Sequence, residues 1–251
     1  MPRKRREISV NGLYHVIARG NSQQIIFEHD SDYKHFRDMM FDKADETGML
    51  IIAYCLMDNH VHLLVQDREE NLSLFMERVL GSYAVYFNYK YDRTGHLFQG
   101  RFRSKCITDQ DYFYEVYRYI LNNPVKAGIC RADMYRWSSY GDYYDKDPRT
   151  CIDKIKERFP EEKLFEEFIS NKTDKGVQYF ENAQLHLNDE ELQRMIKELT
   201  GADSGFEIAS FPRKERNNAV RLLRSAGMTI KTVVRLTGIG YGIVAKCRPN
   251  K

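Results

Sequence analysis

The sequence lacks the features that would place the chain in a membrane or in the secretory pathway. It has no run of about 18 apolar residues, which a membrane-spanning helix requires. The basic N-terminus, MPRKRR at residues 1–6, is not followed by the apolar segment of a secretory signal. We therefore expect a cytoplasmic protein with no membrane partner.

Cysteine is also scarce, and its pattern excludes two classes of small stabilised fold. The five cysteines among 251 residues are scattered, and no two are spaced C-x-x-C. A disulfide framework or a thiolate zinc site would need paired or closely spaced cysteines. Hydrophobic residues make up 42% of the chain, so an ordinary apolar core is the expected source of stability.

Net charge is small in total but very unevenly distributed. The chain carries 39 basic and 36 acidic residues. Residues 1–140 contain 19 basic and 18 acidic residues, residues 141–210 contain 10 and 17, and residues 211–251 contain 10 and 1. A segment this basic favours a polyanionic partner such as nucleic acid, with a solvated basic face as the alternative.

Strand and helix patterns alternate over the first 140 residues. Residues 13–18 predict a strand, followed by a helix from a cap at Asp30 to Gly48. A hairpin follows, with strands at residues 50–57 and 61–65. The remaining predictions are a helix from Asn71, a strand over 97–106, and a helix from about Thr108 to Asn123. The order β-α-β-β-α-β-α predicts an α+β ferredoxin-like sandwich with a mixed sheet, one face of which is covered by the first two helices.

Two histidines and a tyrosine helix are candidates for chemistry. His60 and His62 alternate along a predicted strand, so both imidazoles lie on one face and could chelate one cation. Glu115, Tyr119 and Asn123 share one face of the following helix, with Tyr112 close to that face. Taken alone, the histidine pair could equally be structural, Asn123 before a proline could equally be a routine helix end, and a tyrosine at this spacing is usually a core residue.

The strand predicted at residues 97–106 places polar and apolar side chains on opposite faces. An edge strand facing solvent would show the same alternation as a surface that binds phosphates. The polar face carries Gln99, Arg101, Arg103 and Lys105, and the other face carries Phe98, Phe102 and Cys106.

Four segments together resemble a known family, the REP-associated tyrosine transposases of the HUH single-strand transposase superfamily. They are YCLMDNHVHLL at residues 54–64, FQGRF at 98–102, YILNNPVKAG at 119–128 and WSSY at 137–140. Their order along the chain makes the resemblance far more specific than the H-x-H pair alone. It covers the chain from about residue 2 to about residue 140.

The resemblance implies a metal-dependent nuclease and strand transferase that acts on single-stranded DNA, often near hairpins. By it, Tyr119 corresponds to the nucleophile that forms a covalent 5′-phosphotyrosine. His60 and His62 correspond to the metal-binding pair, and Asn123 to an additional polar ligand. Two imidazole nitrogens and an amide oxygen would accept Mg²⁺ or Mn²⁺, of which Mn²⁺ is better suited to nitrogen. The sequence contains no G-x-x-x-x-G-K-[ST] motif, consistent with rejoining that needs no ATP.

The resemblance also favours phosphate binding by the polar face of the 97–106 strand. Arg101, Arg103 and Lys105 would then track a DNA backbone. Arg93 and the basic arm at residues 3–6 are possible additions.

The C-terminal segment more loosely resembles the helix-turn-helix domain of replication initiators of the DnaA family. Helices are predicted at 189–199, 213–224, 229–236 and 241–247, of which the last three are separated by glycine-containing turns, with Thr229 as a candidate cap. Gly240 and Gly242 begin the recognition helix, where base-reading side chains would be expected, so backbone binding is favoured over sequence reading. The basic residues available for that binding are Arg221, Arg224, Lys231, Arg235, Lys246 and Arg248.

We therefore predict a catalytic domain at residues 1–140, an acidic helical connector at 141–185 and a basic helix-turn-helix domain at 186–251. The favoured function is a single-strand DNA transposase acting on single-stranded or hairpin DNA as a monomer or homodimer. Two alternatives stay open: a DNA-binding regulator on a catalytically inactive transposase fold, and a metal hydrolase that uses water instead of Tyr119.

Overall fold

The structure is a computed structural model that describes residues 7–171, 189–226, 228 and 230–247; the side chains of residues 189–193 and 231 are outside the description. The chain divides into two compact units, Met1–Asp174 and Lys175–Lys251. No described helix combines the length and apolarity needed to cross a membrane.

The first unit has the predicted order of elements. Its strands are β1 (Leu13–Arg19), β2 (Leu50–Met57), β3 (His60–Gln66) and β4 (Arg103–Cys106). Its helices are α1 (Asp30–Thr47), α2 (Leu72–Lys90), α3 (Gln110–Leu121), α4 (Asn123–Lys126), α5 (Asp153–Arg158) and α6 (Glu162–Ser170). The α+β ferredoxin-like prediction is confirmed.

The sheet has the strand order β2-β3-β1-β4, and every neighbouring pair is antiparallel. The prediction of a mixed sheet was wrong. The helical crossover from β1 to β2 makes those two strands parallel, but β3 inserts between them and pairs antiparallel with both. The resulting register sets Ile17 opposite His62 and His15 opposite Lys105.

The two faces of the sheet have different coverings. One face packs on α1 and α2, as predicted, through a core that includes Val16, Leu63, Phe36 and Phe75. Alternation places His15 and His62 on the opposite face, which α3 covers by packing against β2 and β3. The helix with the candidate nucleophile therefore lies over the strand with the histidine pair.

The strand predicted over residues 97–106 is much shorter in the structure. Only β4 is continuous, and Phe98 makes an isolated bridge to Gly20. Gly100 has a φ of 65°, which breaks the extended backbone between the two pieces. Of the residues predicted to share the polar face of this strand, only Arg103 and Lys105 lie within β4, where strand alternation places them on one face.

Local hydrogen bonds revise the predicted helix ends. Asp30 is the first residue of α1 rather than its cap, and Asp32 Oδ2 instead accepts from the His29 amide at 2.9 Å. Asp109 caps α3 by accepting from the Tyr112 amide at 2.8 Å. Pro124 does not end the helical region, because a proline is tolerated in the first turn of a new helix, here α4.

Residues after the sheet complete the first unit. Residues 137–139 pair along the outer edge of β2, where the Leu56 amide donates to the Trp137 carbonyl at 2.9 Å and the Ser139 amide donates to the Tyr54 carbonyl at 3.0 Å. The Asn122 side chain donates to the Ile169 carbonyl at 2.7 Å, joining the end of α3 to the end of α6. The compact unit thus extends to Asp174, beyond the predicted limit at residue 140; the functional division into domain and connector stays a prediction.

The second unit is helical over its described residues. Its helices are α7 (Asp189–Thr200), α8 (Gly205–Ser210), α9 (Arg213–Ser225), α10 (Ile230–Thr237) and α11 (Tyr241–Lys246). They share a core that includes Ile196, Val220, Val233 and Val244. Helix α8 is absent from the sequence predictions, although Ser204 caps it by accepting from the Glu207 amide at 3.3 Å.

Candidate functional site

Three aromatic side chains meet between the sheet and α3. The rings of His15 on β1 and His62 on β3 stack with centroids 5.6 Å apart. The Tyr119 ring on α3 stands edge-on to both, 6.0 Å from His15 and 5.9 Å from His62. The His60 ring lies 4.8 Å from the His62 ring. The two predicted metal-binding histidines and the predicted nucleophile therefore share one site.

Each histidine of the H-x-H pair is held through its Nδ1 atom. Nδ1 of His60 lies 2.6 Å from Oδ1 of Asn59. An amide oxygen can only accept, so the proton of His60 is on Nδ1. Nδ1 of His62 lies 3.3 Å from Nε2 of His15. Nε2 is thus the nitrogen through which either histidine would ligate a cation.

Tyr119 is enclosed, with only 1% of its surface exposed. The Lys126 ammonium, carried by an exposed residue of α4, lies 3.5 Å from the centre of the Tyr119 ring. This cation–π contact places a positive charge beside the phenol. Lys126 lies within the YILNNPVKAG segment, but the sequence analysis gave it no role.

Asn123 lies one helical turn after Tyr119 and is buried. Its Nδ2 donates to the carbonyls of Tyr119 at 3.0 Å and Ile120 at 3.3 Å. These bonds satisfy carbonyls at the end of α3 and direct the Asn123 amide oxygen away from them. The oxygen is the atom that a cation would use.

The donor set suits a weakly held, open cation site. Within the part of the chain that the structure describes, no group of three or more His, Cys, Asp or Glu side chains is arranged to hold a metal ion. Two imidazoles and an amide oxygen would leave coordination positions for water and a DNA phosphate. Nδ1 of His60 faces an acceptor, which is the usual support of a metal-binding histidine, so the residues present fit a divalent cation.

Two of the predicted DNA-binding residues extend from the site along β4. The register places Arg103 beside Ile17 and Lys105 beside His15, so both lie on the α3 side of the sheet. The Lys105 ammonium lies 4.2 Å from the centre of the Tyr112 ring. Burial lowers the pKa of Lys105, while the nearby carboxylates of Asp109 and Glu115 act in the opposite direction.

The other basic residues predicted in the first unit lie elsewhere. Arg93 donates to Oε1 of Gln24 at 2.5 Å, and its guanidinium carbon lies 5.5 Å from the centre of the Phe87 ring. Its side chain therefore makes contacts within the first unit. Arg101 is exposed in the segment before β4. The basic arm at residues 3–6 lies outside the described residues.

The basic residues of the second unit differ in exposure. Arg221, Arg235 and Lys246 are exposed, whereas Arg224 donates to the Met228 carbonyl at 2.7 Å. Helix α11 is six residues long, with exposed Gly240 and Gly242 at its start. The Lys231 side chain, Thr229 and Arg248 lie outside the described residues.

Comparison with known proteins finds a family match over the segment that contains this site. Residues 9–123 match the family model for IS200-like transposases. Those residues, which are less than half of the chain, are similar to the IS200-like transposases. The matched segment includes His15, His60, His62, Tyr119 and Asn123, whereas Lys126 and the second unit follow it.

Two solved structures are similar to parts of the chain. One is described as a REP-associated tyrosine transposase bound to a REP hairpin; it is 17% identical, with a TM-score of 0.48, covering 56% of this chain and 83% of that one. The other is a transposase described as putative, from Deinococcus radiodurans; it is 19% identical, with a TM-score of 0.35, covering 48% of this chain and 97% of that one. No curated protein matches the chain significantly.

Proposed function

We propose that the chain cleaves and rejoins single-stranded or hairpin DNA through a covalent phosphotyrosine on Tyr119, with a divalent cation held by His60, His62 and Asn123. The observation that carries the proposal is the 5.9 Å ring separation between His62 and Tyr119, inside the segment that matches the IS200-like transposase model. A nucleophile and a cation site at this spacing can act on one phosphodiester.

The reaction conserves the energy of the broken bond. The phenol oxygen of Tyr119 attacks the phosphorus and loses its proton, and the bond from phosphorus to the 3′ oxygen breaks. The 3′ oxygen leaves with a proton, and a 5′-phosphotyrosine remains. When bound, Mg²⁺ or Mn²⁺ neutralises the negative charge that develops on the phosphoryl oxygens. Attack by a 3′ hydroxyl on the phosphotyrosine reverses the steps and rejoins the strand.

Positive side chains around Tyr119 would guide the scissile phosphate. Lys126 lies on the Tyr119 ring, and Arg103 and Lys105 lie on the same side of the sheet as His15. Because Tyr119 is almost fully enclosed, a phosphate reaches the phenol oxygen only when a covering group moves. Lys126 is exposed and carries its ammonium on a flexible stem, so we assign it this role and a contact to the phosphate thereafter.

The second unit would add affinity rather than catalysis. Its exposed basic residues Arg221, Arg235 and Lys246 suit contacts to phosphates, which carry no sequence information by themselves. The glycines at the start of α11 provide no side chains for reading bases.

The test uses labelled single-stranded and hairpin oligonucleotides with Mg²⁺ or Mn²⁺. A protein–DNA adduct that survives denaturation and maps to Tyr119 supports the proposal. Binding without cleavage under every condition would favour the inactive regulator. Cleavage that persists in Tyr119→Phe without an adduct would favour the water-using hydrolase.

A further inference from the structure

The contact between His15 and His62 has no role in the reaction as proposed so far. Nε2 of His15 and Nδ1 of His62 lie 3.3 Å apart, and neither side chain has any exposed surface. A buried imidazole pair of this kind has a defined hydrogen-bond direction, because one nitrogen must donate and the other accept.

We infer that His15 is a positioning residue that accepts a hydrogen bond from Nδ1–H of His62 and thereby fixes the tautomer with which His62 presents Nε2 to the cation. This inference rests on the proposed function, because it assumes that His62 is a metal ligand. His15 itself would not touch the cation through the nitrogen that holds His62.

The direction of the bond follows from the chemistry of a metal ligand. A neutral histidine carries one ring proton, and the nitrogen that ligates must not carry it. If His15 donated to Nδ1 of His62, the proton of His62 would be on Nε2 and block ligation there. If His15 accepts, Nε2 of His62 has the lone pair that a cation needs.

His60 provides an internal parallel. Its Nδ1 lies 2.6 Å from Oδ1 of Asn59, an atom that can only accept. Asn59 on the hairpin turn and His15 on β1 would therefore perform the same task for the two neighbouring histidines. Acceptors beyond the ligands commonly fix the orientation and tautomer of metal-binding histidines in this way.

The sheet register makes His15 suited to this role. β1 lies next to β3, and His15 is two residues from Ile17, which sits opposite His62. The two rings stack with an interplanar angle of 24°, so the position of His15 restricts rotation of the His62 ring. The site also holds Tyr119 at 6.0 Å from His15, which limits the space for any other orientation.

The first measurement is the tautomer of His62 in the full-length protein without metal. Nitrogen-15 NMR of labelled histidines at alkaline pH, where imidazoles are neutral, distinguishes Nδ1–H from Nε2–H. We expect Nδ1–H for His62 in the wild type and a shift towards Nε2–H in His15→Leu. An Nε2–H tautomer of His62 in the wild type would overturn the inference, whatever the activity of the protein.

The second measurement is the dissociation constant for Mn²⁺ alone, by calorimetry. His15→Leu should weaken Mn²⁺ binding by about 10- to 100-fold, the range found when such supporting residues are removed. His15→Gln, whose amide oxygen can accept, should recover much of the affinity. Ile17→Leu, on the same buried face, controls for repacking and should leave the affinity unchanged.

The outcomes separate this inference from the proposed function. Equal Mn²⁺ affinity in wild type, His15→Leu and His15→Gln would reject the role of His15 while leaving the reaction at Tyr119 intact. Absence of Mn²⁺ binding in the wild type would reject the metal site and, with it, the role of His15. If His15→Leu fails to fold, the wild-type tautomer and the affinity of His15→Gln decide, since a tenfold weaker affinity in His15→Gln would also contradict the inference.

Discussion

His62 on β3 and Tyr119 on α3 face each other where the helix packs on the sheet, with their rings edge to face and the ring centroids 5.9 Å apart. Strand alternation places His60 and His62 on one face of β3, and α3 packs on that face. The separation is compatible with a phosphate bound between a cation and a phenol. The two residues are 57 positions apart in the sequence, and the ferredoxin-like order of elements brings them together.

Tyr119→Phe should abolish the covalent adduct and leave oligonucleotide binding nearly unchanged. The substitution removes only the attacking oxygen, while the ring contacts with His62 and Lys126 remain. Gel analysis after denaturation, combined with binding measured by anisotropy, checks both parts. Tyr112→Phe is the matched control on the same helix and should keep the adduct. Mapping of the phosphate to Tyr112, Tyr114 or Tyr117 would refute the assignment.

His60→Ala and His62→Ala should each abolish cleavage and weaken Mn²⁺ binding. Their effects on stability should differ, because His62 is fully buried and bonded to His15, whereas His60 is partly exposed. We expect the free energy of unfolding to fall by about 1–3 kcal/mol in His62→Ala only, from the cavity and the unsatisfied partner. Denaturant titration gives the stability. Full cleavage in EDTA would exclude a metal role for both residues.

Asn123→Ala should reduce cleavage less than removal of either histidine, because water can replace an amide ligand. It should also destabilise the fold by about 1 kcal/mol, since Nδ2 no longer donates to the Tyr119 and Ile120 carbonyls. Cleavage rates at saturating Mn²⁺ together with unfolding curves separate the two effects. Asn123→Asp keeps an oxygen ligand and should retain more activity than Asn123→Ala at high Mn²⁺.

Lys126→Met should slow adduct formation by about 10- to 100-fold at saturating DNA, the effect of removing one charged hydrogen bond of about 1.5–3 kcal/mol. The reason is that the variant has no ammonium on the Tyr119 ring. Lys126→Arg should restore part of the rate. Single-turnover kinetics measure the step, with Lys154→Met, which removes the ammonium 5.9 Å from the Phe113 ring, as control. If Lys126→Met forms the adduct at the wild-type rate, Lys126 does not contact the phosphate in this step.

Acid stability should depend on Asp32, which joins α1 to α2. Burial would raise its pKa, but hydrogen bonds from Lys90, Tyr91 and the His29 amide outweigh burial and lower the pKa to about 2 from 3.8. The stabilisation is therefore fully present at pH values above the pKa of 3.8 in the unfolded chain, and it is lost as the pH falls through the folded pKa of about 2. A shift of this size corresponds to about 2 kcal/mol. Asp32→Asn should remove it, whereas Asp45→Asn, an exposed position on α1, should not.

The sequence predicted the fold, and it predicted the shared face of His60 and His62 and the helical position of Tyr119, because these depend on local patterns. Alternation around His60 and His62, helical spacing around Tyr119 and the order of elements all lie within short segments. His15 was missed because its role depends on the pairing of β1 with β3, which no local pattern contains. The 97–106 strand was overestimated because the backbone conformation at Gly100 interrupts a pattern that looks continuous in residue type.

The last prediction concerns the basic residues 211–251, whose 10 basic and 1 acidic residues suggest phosphate contacts made away from the reacting bond. A chain ending at Asp174, the limit of the first compact unit, should still form the Tyr119 adduct at the same nucleotide. Its affinity for the oligonucleotide should be lower. A plot of log affinity against log salt concentration should have a shallower slope. For each phosphate that the shortened chain no longer neutralises, the slope should change by about 0.7 on a single strand and about 0.9 on a duplex.

A full-length variant tests the same idea without truncation. R221Q, R235Q and K246Q together remove three exposed charges of the second unit and should reduce the salt slope while preserving the cleavage map. Comparison must be made at matched occupancy, because weaker binding alone lowers the yield of every product. If either protein cuts at new positions or ceases to distinguish hairpin from unrelated strands, the second unit selects the site. The glycines at the start of α11 would then be compensated by base contacts from other residues of the unit.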